Sequence, residues 1–279
     1  MTTGESAFLA QVAPKLTRRS DRFFAIPGME QFSYPLSAQA RFSEIEDSSF
    51  WFRHRNQIIG TLVRRFTPLG PIIDIGGGNG YVSYGLSQLG YSSIVLEPGA
   101  EGADIAHDRG LTVIRAGFDS ETFLPQSLSA IGLFDVIEHI ENAHKFLVDC
   151  QQALNHGGML YVTVPAYRVL WSSDDAFAGH FRRYSRTSLK RALEEAGFDV
   201  VFITAFFSLL VIPLFFLRSL PSALGFRKVS TADQAVAHHQ VGRLTSAILE
   251  RSLRWEISAI NTGHTIPFGT SLIAAARRR

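Results

Sequence analysis

The chain has 279 residues, of which 46% are hydrophobic and 19% charged, a balance that excludes a disordered chain. Its 27 basic and 25 acidic side chains leave a net charge of +2, too even for a nucleic-acid binder. The one cysteine, Cys150, excludes an internal disulfide framework and a cysteine-rich zinc site. Residues 1–20 hold no uninterrupted apolar core of about 7 residues, so no secretory leader is read and a cytoplasmic location is expected.

In chain order, residues 1–41 lack periodicity, contain Pro14, Pro27, Gly28 and Pro35, and are expected to form an irregular arm. A single domain is expected over 42–279. Its first helix is predicted over 44–66, stopped by Pro68 and Gly70. The apolar run 72–75 reads as a buried strand, 76–80 as a glycine turn and 81–90 as a helix. A strand at 93–96 ends in Glu97-Pro98-Gly99, a helix covers 100–109, and strands follow at 111–115 and 129–134. A helix over 142–154 is stopped by His156-Gly157-Gly158, before a strand at 159–164. The remaining elements are a helix over 187–196, a strand at 200–204 and a last strand at 271–276. Short apolar strands alternating with helices predict an α/β fold, a doubly wound parallel sheet with helices on both faces. A ligand then belongs outside the carboxyl ends of the strands, beside the first.

Residues 200–217 carry no charge over 18 positions, the lower limit for a membrane span at about 18 residues. The start reads as a strand, and 206–217 is too short to cross and contains Pro213. Two readings stand. One is a core helix. The other is an in-plane membrane-contact helix with Phe207, Leu210, Leu214 and Leu217 on one face, followed by Arg218, Arg227 and Lys228. The second implies peripheral contact at the inner face of a membrane.

The turn Asp74-Ile-Gly76-Gly-Gly78-Asn-Gly80 lets the backbone approach a ligand. It misses the G-x-G-x-x-G/A nicotinamide fingerprint: read from Gly76 the third position is Tyr81, and from Gly78 it is Ser83. Its Asp-x-Gly-x-Gly-x-Gly spacing resembles the first motif of class I S-adenosylmethionine-dependent methyltransferases. Glu97, at the end of the second strand, could accept both ribose hydroxyls of an adenosine. Phe134-Asp-Val-Ile-Glu138-His139 and the stretch 154–165 are similar to the fourth- and fifth-strand motifs of that superfamily. His180-Phe-Arg182-Arg183-Tyr184 and the aromatic helix around Trp51 resemble a bacterial branch carrying Gly-His-x-Arg-Arg-Tyr.

The resemblance implies a seven-stranded Rossmann-like methyltransferase sheet, its last strand antiparallel. The segment between the strand at 200–204 and Ser271, about 65 residues, is far longer than a hairpin loop, so a helical cap over the acceptor site, or a surface for a partner, is expected at about 206–264. The resemblance also implies S-adenosylmethionine as cofactor, bound by Asp74, Gly76, Gly78, Gly80, Glu97, Gly117, Phe118 and Phe134. Where relatives have Gly-Asp beside the adenine, this chain has Gly117-Phe118, with Asp119 one place later.

Methyl transfer needs alignment of donor and acceptor, and oxygen or nitrogen acceptors often need a base. His139 and His180 are the candidates; each could equally be a capping or interface histidine. Arg182, Arg183 and Arg186, a basic cluster beside Tyr184, could grip an acceptor phosphate or carboxylate, or form a solvated or ion-paired loop, and Trp51 and Trp171 could line an aromatic pocket or the core. Asp135, Glu138 and His139 could share a divalent ion, as in some ubiquinone-pathway and RNA-end methyltransferases, but the first acid is shorter here and no metal is assigned. The pair His238-His239 lacks nearby acids or thiols and is not read as a ligand set. The expected activity is methyl transfer to a small-molecule acceptor, with oxygen as the favoured atom and a sugar or lipid-linked metabolite as the acceptor class. The alternatives are a nicotinamide-dependent oxidoreductase and a non-catalytic cofactor-binding subunit. No oligomeric state is assigned.

Overall fold

The computed structural model describes residues 3–18, 23–25, 45–226 and 242–279. Arg227, Lys228 and the His238-His239 pair lie outside the described residues.

Seven strands form the body of the sheet: β3 (Ile72–Ile75), β4 (Ser93–Leu96), β5 (Thr112–Arg115), β6 (Leu128–Phe134), β7 (Leu154–Pro165), β8 (Phe198–Phe206) and β9 (Ser271–Arg278). Their order is β5-β4-β3-β6-β7-β9-β8. Strands β3 to β7 pair in parallel, and β9 runs antiparallel between β7 and β8. The order reverses between β3 and β6, where a crevice opens at the carboxyl ends. β3 is buried at all four positions, as expected for a parallel strand covered on both faces.

The arm is more regular than its prolines suggested. It contains helix α1 (Thr3–Val12) and strands β1 (Thr17–Arg18) and β2 (Phe23–Ala25), with β2 pairing in parallel to β5. Among the described residues the sheet therefore has nine strands, seven of them those expected. Leu9, Val12 and Ala13 bury into the core, a contact made with distant residues and so without a local period.

Helix α2 (Phe50–Arg65) starts later than expected, because Ser49 adopts the extended N-cap conformation. The others are α3 (Tyr81–Gln88), α4 (Ala100–Asp108), α5 (Ala143–Ala153), α6 (Ser173–Phe177), α7 (Arg186–Glu195) and α8 (Arg243–Thr262). Leu147 of α5 and Leu189 and Leu193 of α7 pack on one face of the sheet with Leu133, Leu160 and Val162. Ile58, Ile59 and Leu62 of α2, with Leu253 and Ile260 of α8, pack on the other with Ile72, Tyr161 and Ile273.

β8 extends to Phe206, further than expected, because Phe206 is fully buried. Phe207 follows at φ +58°, also fully buried, so it does not belong to an exposed face. Glu256 of α8 fixes this corner: its carboxylate accepts from Phe207 N (2.9 Å), Ser208 N (2.8 Å) and Ser208 Oγ (2.6 Å), and pairs with His54 Nε2 at 2.9 Å. The chain then runs helically over 208–223, with a wide turn at Phe215–Ser219. Its exposed apolar side chains are Leu209, Ile212, Phe216 and Leu217, whereas Leu210 and Leu214 are half-buried. Of the four residues at the expected spacing, Phe207 is buried, Leu210 and Leu214 are half-buried and Leu217 is exposed. Among the described residues, no helix is long and apolar enough to cross a membrane.

Candidate functional site

A cavity of about 690 Å³ opens at the carboxyl ends of β3, β4, β5, β6 and β7. That volume lies within the range of about 300–1,000 Å³ of small-molecule sites. Of the residues singled out in the sequence, Trp51, Asp74, Gly76, Gly78, Glu97, Gly117, Phe118, Phe134, His139, His180 and Arg183 line it. Gly80, Arg182 and Tyr184 do not.

At one end lies the glycine turn. Glu97, nearly buried, reaches back across the crevice: one carboxylate oxygen accepts from Gly78 N and the other from Gly99 N, each at 2.8 Å. It therefore braces the turn as well as facing the cavity. Asp74, beneath the turn, accepts from Ser83 Oγ at 2.7 Å, and its other oxygen has no partner. Burial lifts the Asp74 carboxyl to about 6, against the hydrogen bond from Ser83, which lowers it. Gly78 (φ +52°) has open space where a Cβ would stand, so the backbone itself forms the wall. Gly80 is a different case. A Cβ there would lie 2.6 Å from Leu111 Cδ1 and 2.8 Å from Ala106 Cβ, so this glycine lets α3 pack against its neighbour and is not a ligand wall.

At the other end stand Asp135, Glu138, His139 and His180. Asp135 ends β6 in the left-handed region (φ +61°), a strained conformation for an aspartate. Thr163 Oγ1 donates to it at 3.1 Å, and Arg55 Nη2 pairs with it at 2.6 Å. The Arg55 guanidinium lies 5.7 Å from the centre of the Trp51 ring, which stacks on Phe207 at 5.4 Å. Trp51 and Arg55 sit at i, i+4 on α2, and that spacing was the available signal for Arg55, which the sequence reading passed over.

Glu138 is fully buried and neither carboxylate oxygen has a hydrogen-bond partner. Burial, reinforced by Asp135, pushes its carboxyl well above the usual range. The His139 and His180 rings meet edge to face at 4.6 Å. Burial, and then His180, lowers His139 to about 4, so it is neutral at physiological pH. One donor atom from each of Glu138, His139 and His180 lies within 4.8 Å of the others. That set could hold a divalent ion, with His180 in place of the expected Asp135, which Arg55 already engages.

The basic cluster dissolves into structural roles. Arg183 Nε and Nη2 donate to the two oxygens of Asp175 at 2.7 and 2.9 Å, and Nη1 donates to Ala166 O at 3.1 Å. Arg182, half-buried, donates to Glu141 O at 2.5 Å. Tyr184 is buried behind the end of β7, its amide donating to Pro165 O at 3.0 Å. Arg183 is thus engaged by Asp175 and Ala166 and Tyr184 is buried, whereas Arg182 gives only one of its guanidinium donors to Glu141. Asp175 itself, unremarked in the sequence, also accepts from Ser172 N at 2.9 Å and pairs with His180 Nδ1 at 2.9 Å.

A family described as "Methyltransferase domain" matches residues 51–203, more than half of the chain. The chain is 27% identical over 172 residues to a Mycolicibacterium smegmatis protein named "Probable S-adenosylmethionine-dependent methyltransferase", covering 60% of this chain and 66% of that one. It is 30% identical over 102 residues to the mitochondrial ubiquinone biosynthesis O-methyltransferase of Rattus norvegicus, covering 33% of this chain and 30% of that one. These stretches span less than two thirds of either relative. Two solved structures share the fold. The Haloferax volcanii complex of the Trm112 activator with a methyltransferase aligns at TM-score 0.55 and 16% identity, covering 88% of this chain and 99% of that one. Haemonchus contortus phosphoethanolamine N-methyltransferase 2, solved with S-adenosyl-L-methionine, aligns at TM-score 0.51 and 15% identity, covering 89% and 58%. The turn, the acid at the end of β4 and the matched family agree: the chain belongs to the methyltransferase-domain family of S-adenosylmethionine-dependent enzymes.

Proposed function

We propose that the protein transfers a methyl group from S-adenosylmethionine to a hydroxyl of a small-molecule acceptor. The observation that carries this reading is one continuous cavity joining the Gly78–Glu97 end to the His139–His180 end. The residues present fit the cofactor: an open glycine wall, a carboxylate at the strand end and an orphaned acceptor on Asp74. Bound there, the cofactor supplies an activated methyl group.

The chain's own residues have separable tasks. Gly76 and Gly78 admit the amino-acid part of the cofactor, Glu97 takes the ribose, and Gly117, Phe118 and Phe134 border the adenine side. Phe118 rests edge-on against Phe146 at 5.5 Å, which gives an apolar wall there. Trp51 and Arg55 separate this end from the acceptor. His139 and His180 face the acceptor and handle its proton. Leu214, Arg218 and Ser219 of the helical insertion close the cavity on that side, so the first part of the insertion acts as a cap. Its second part, α8, packs along α2.

The name of the rat relative supports oxygen as the acceptor atom. The paired state of Arg183 argues for an uncharged acceptor group, such as a sugar hydroxyl or the head of a lipid-linked metabolite. The Gly179-His180-Phe-Arg182-Arg183-Tyr184 stretch supports placement in the bacterial branch named above. Calorimetric titration with S-adenosylmethionine and with NAD tests the cofactor, and a tritiated-methyl screen of hydroxylated acceptors tests the transfer. Binding of NAD in preference to S-adenosylmethionine overturns the reading.

A further inference from the structure

We propose that Asp175 is a positioning residue that locks His180 with its proton on Nδ1, leaving the Nε2 lone pair as the proton acceptor of the reaction; this rests on the methyl-transfer reading above. Asp175 is 1% exposed, and its carboxylate accepts from five donors of three residues. Arg183 clamps both of its oxygens, Nε at 2.7 Å and Nη2 at 2.9 Å, and this two-point contact with a guanidinium holds Asp175 as the ionised carboxylate. An ionised carboxylate has no proton to give, so at the 2.9 Å contact His180 Nδ1 must be the donor. In a neutral imidazole the lone pair then resides on Nε2. The geometry is enforced twice, since His180 N also donates to Asp175 O at 3.0 Å.

Two further groups set the role of each histidine. Arg183 neutralises Asp175 through a two-point contact and keeps the carboxylate ionised and fixed in orientation. His139, edge-on to His180, has the Ala178 backbone as a hydrogen-bond partner. His180 is oriented by the Asp175 carboxylate. As the acceptor oxygen bonds the methyl carbon, the carbon–sulfur electron pair leaves to sulfur and the O–H proton passes to His180 Nε2. The resulting imidazolium pairs with the Asp175 carboxylate, and a Glu138 carboxyl oxygen lies within 4.8 Å of one of its ring nitrogens. No oxidant or further reactant is needed.

The test is nitrogen-15 NMR of the protein labelled at histidine, with His180 assigned by its absence in His180→Asn. The expected wild-type spectrum shows His180 protonated at Nδ1 and bare at Nε2, and Asp175→Asn shifts it toward the Nε2–H form. The wild-type spectrum decides the point even where that variant fails to fold. On an acceptor found in the tritium screen, folded Asp175→Asn should lose about 100-fold in kcat, the scale of a misdirected base, with unchanged affinity for S-adenosylmethionine. A wild-type Nε2–H tautomer, or full kcat in folded Asp175→Asn, overturns the proposal. So does micromolar magnesium or zinc shifting the His139 and His180 signals together, which would assign Nε2 to an ion. Failure of the wild type to bind S-adenosylmethionine would instead sink the methyl-transfer reading and leave the tautomer result standing.

Discussion

Gly78→Ala and Gly80→Ala change neighbouring positions of one turn by one methyl group, yet the structure separates their effects. Both residues have positive φ, +52° and +69°, so each alanine incurs left-handed strain of about 1–2 kcal/mol. At Gly78 nothing lies within 4 Å of the new Cβ, so no packing cost is added. At Gly80 the methyl would lie 2.6 Å from Leu111 and 2.8 Å from Ala106, an overlap that adds about 1–3 kcal/mol. A domain this size loses about 2–4 °C in Tm per kcal/mol. Gly80→Ala should therefore melt about 10 °C below wild type, and Gly78→Ala about 5 °C below. Binding should rank the other way. The Gly78 methyl occupies the cavity wall beside Glu97 and should weaken S-adenosylmethionine at least tenfold, about 1.4 kcal/mol. Gly80→Ala, measured by calorimetry well below its Tm, should bind within about twofold of wild type, about 0.4 kcal/mol. Unchanged affinity in Gly78→Ala, or a larger binding loss in Gly80→Ala, refutes the assignment of the turn.

Four further outcomes follow from the same geometry. Glu97→Gln keeps the shape but offers one acceptor oxygen in place of two, so it must release either Gly78 N or Gly99 N; affinity for S-adenosylmethionine should fall at least tenfold, on the scale of about 1.5–3 kcal/mol for a hydrogen bond to a charged group, and a fall under twofold moves the ribose contact elsewhere. Glu256→Ala strands the buried Phe207 and Ser208 amides and His54, and should cost about 3–5 kcal/mol in urea unfolding; a cost below 1 kcal/mol, on the order of an exposed ion pair, would show that the corner is held otherwise. Asp175 titrates at about 2 folded against 3.8 in its ordinary state, so its contribution of about 2 kcal/mol is present above pH 4 and disappears as pH falls through about 2; a carbon-13 titration of its carboxyl with a midpoint near 4 contradicts this. Ile212, Phe216 and Leu217 are 59–72% exposed, so the protein should bind anionic liposomes in a salt-sensitive way, and changing all three to Ser should abolish that binding with Tm unchanged; no binding by the wild type, or its retention in the variant, refutes a membrane contact through this face.

The strands and the glycine turn were legible in the sequence because each is a local pattern. Ile72–Ile75 is apolar throughout since a central parallel strand is covered on both faces, and the glycines of 76–80 cluster where backbone must turn sharply against a ligand. Glu97 and Phe134 were legible for the same reason: they end strands, and strand ends face the crevice. The errors came where position in the sequence says nothing about partners. Among the residues read as a grip for an anion, Arg183 is clamped to Asp175 and Tyr184 is buried behind β7, and neither contact is recorded in the local sequence. Phe207 appeared to continue an exposed apolar face until Glu256, far along the chain, fixed it in the core.

Sequence alone determined the seven central strands and the place of the glycine turn beside the cavity, because hydrophobic period and glycine placement act over a few residues. Only the tertiary structure decided which charges are already neutralised, which histidine has a carboxylate behind it, and which apolar residues remain in water. Those outcomes depend on contacts such as Arg55 with Asp135 and His54 with Glu256. The free energy of a buried charge is set by the partner it meets across space, and no repeat along the chain records that meeting.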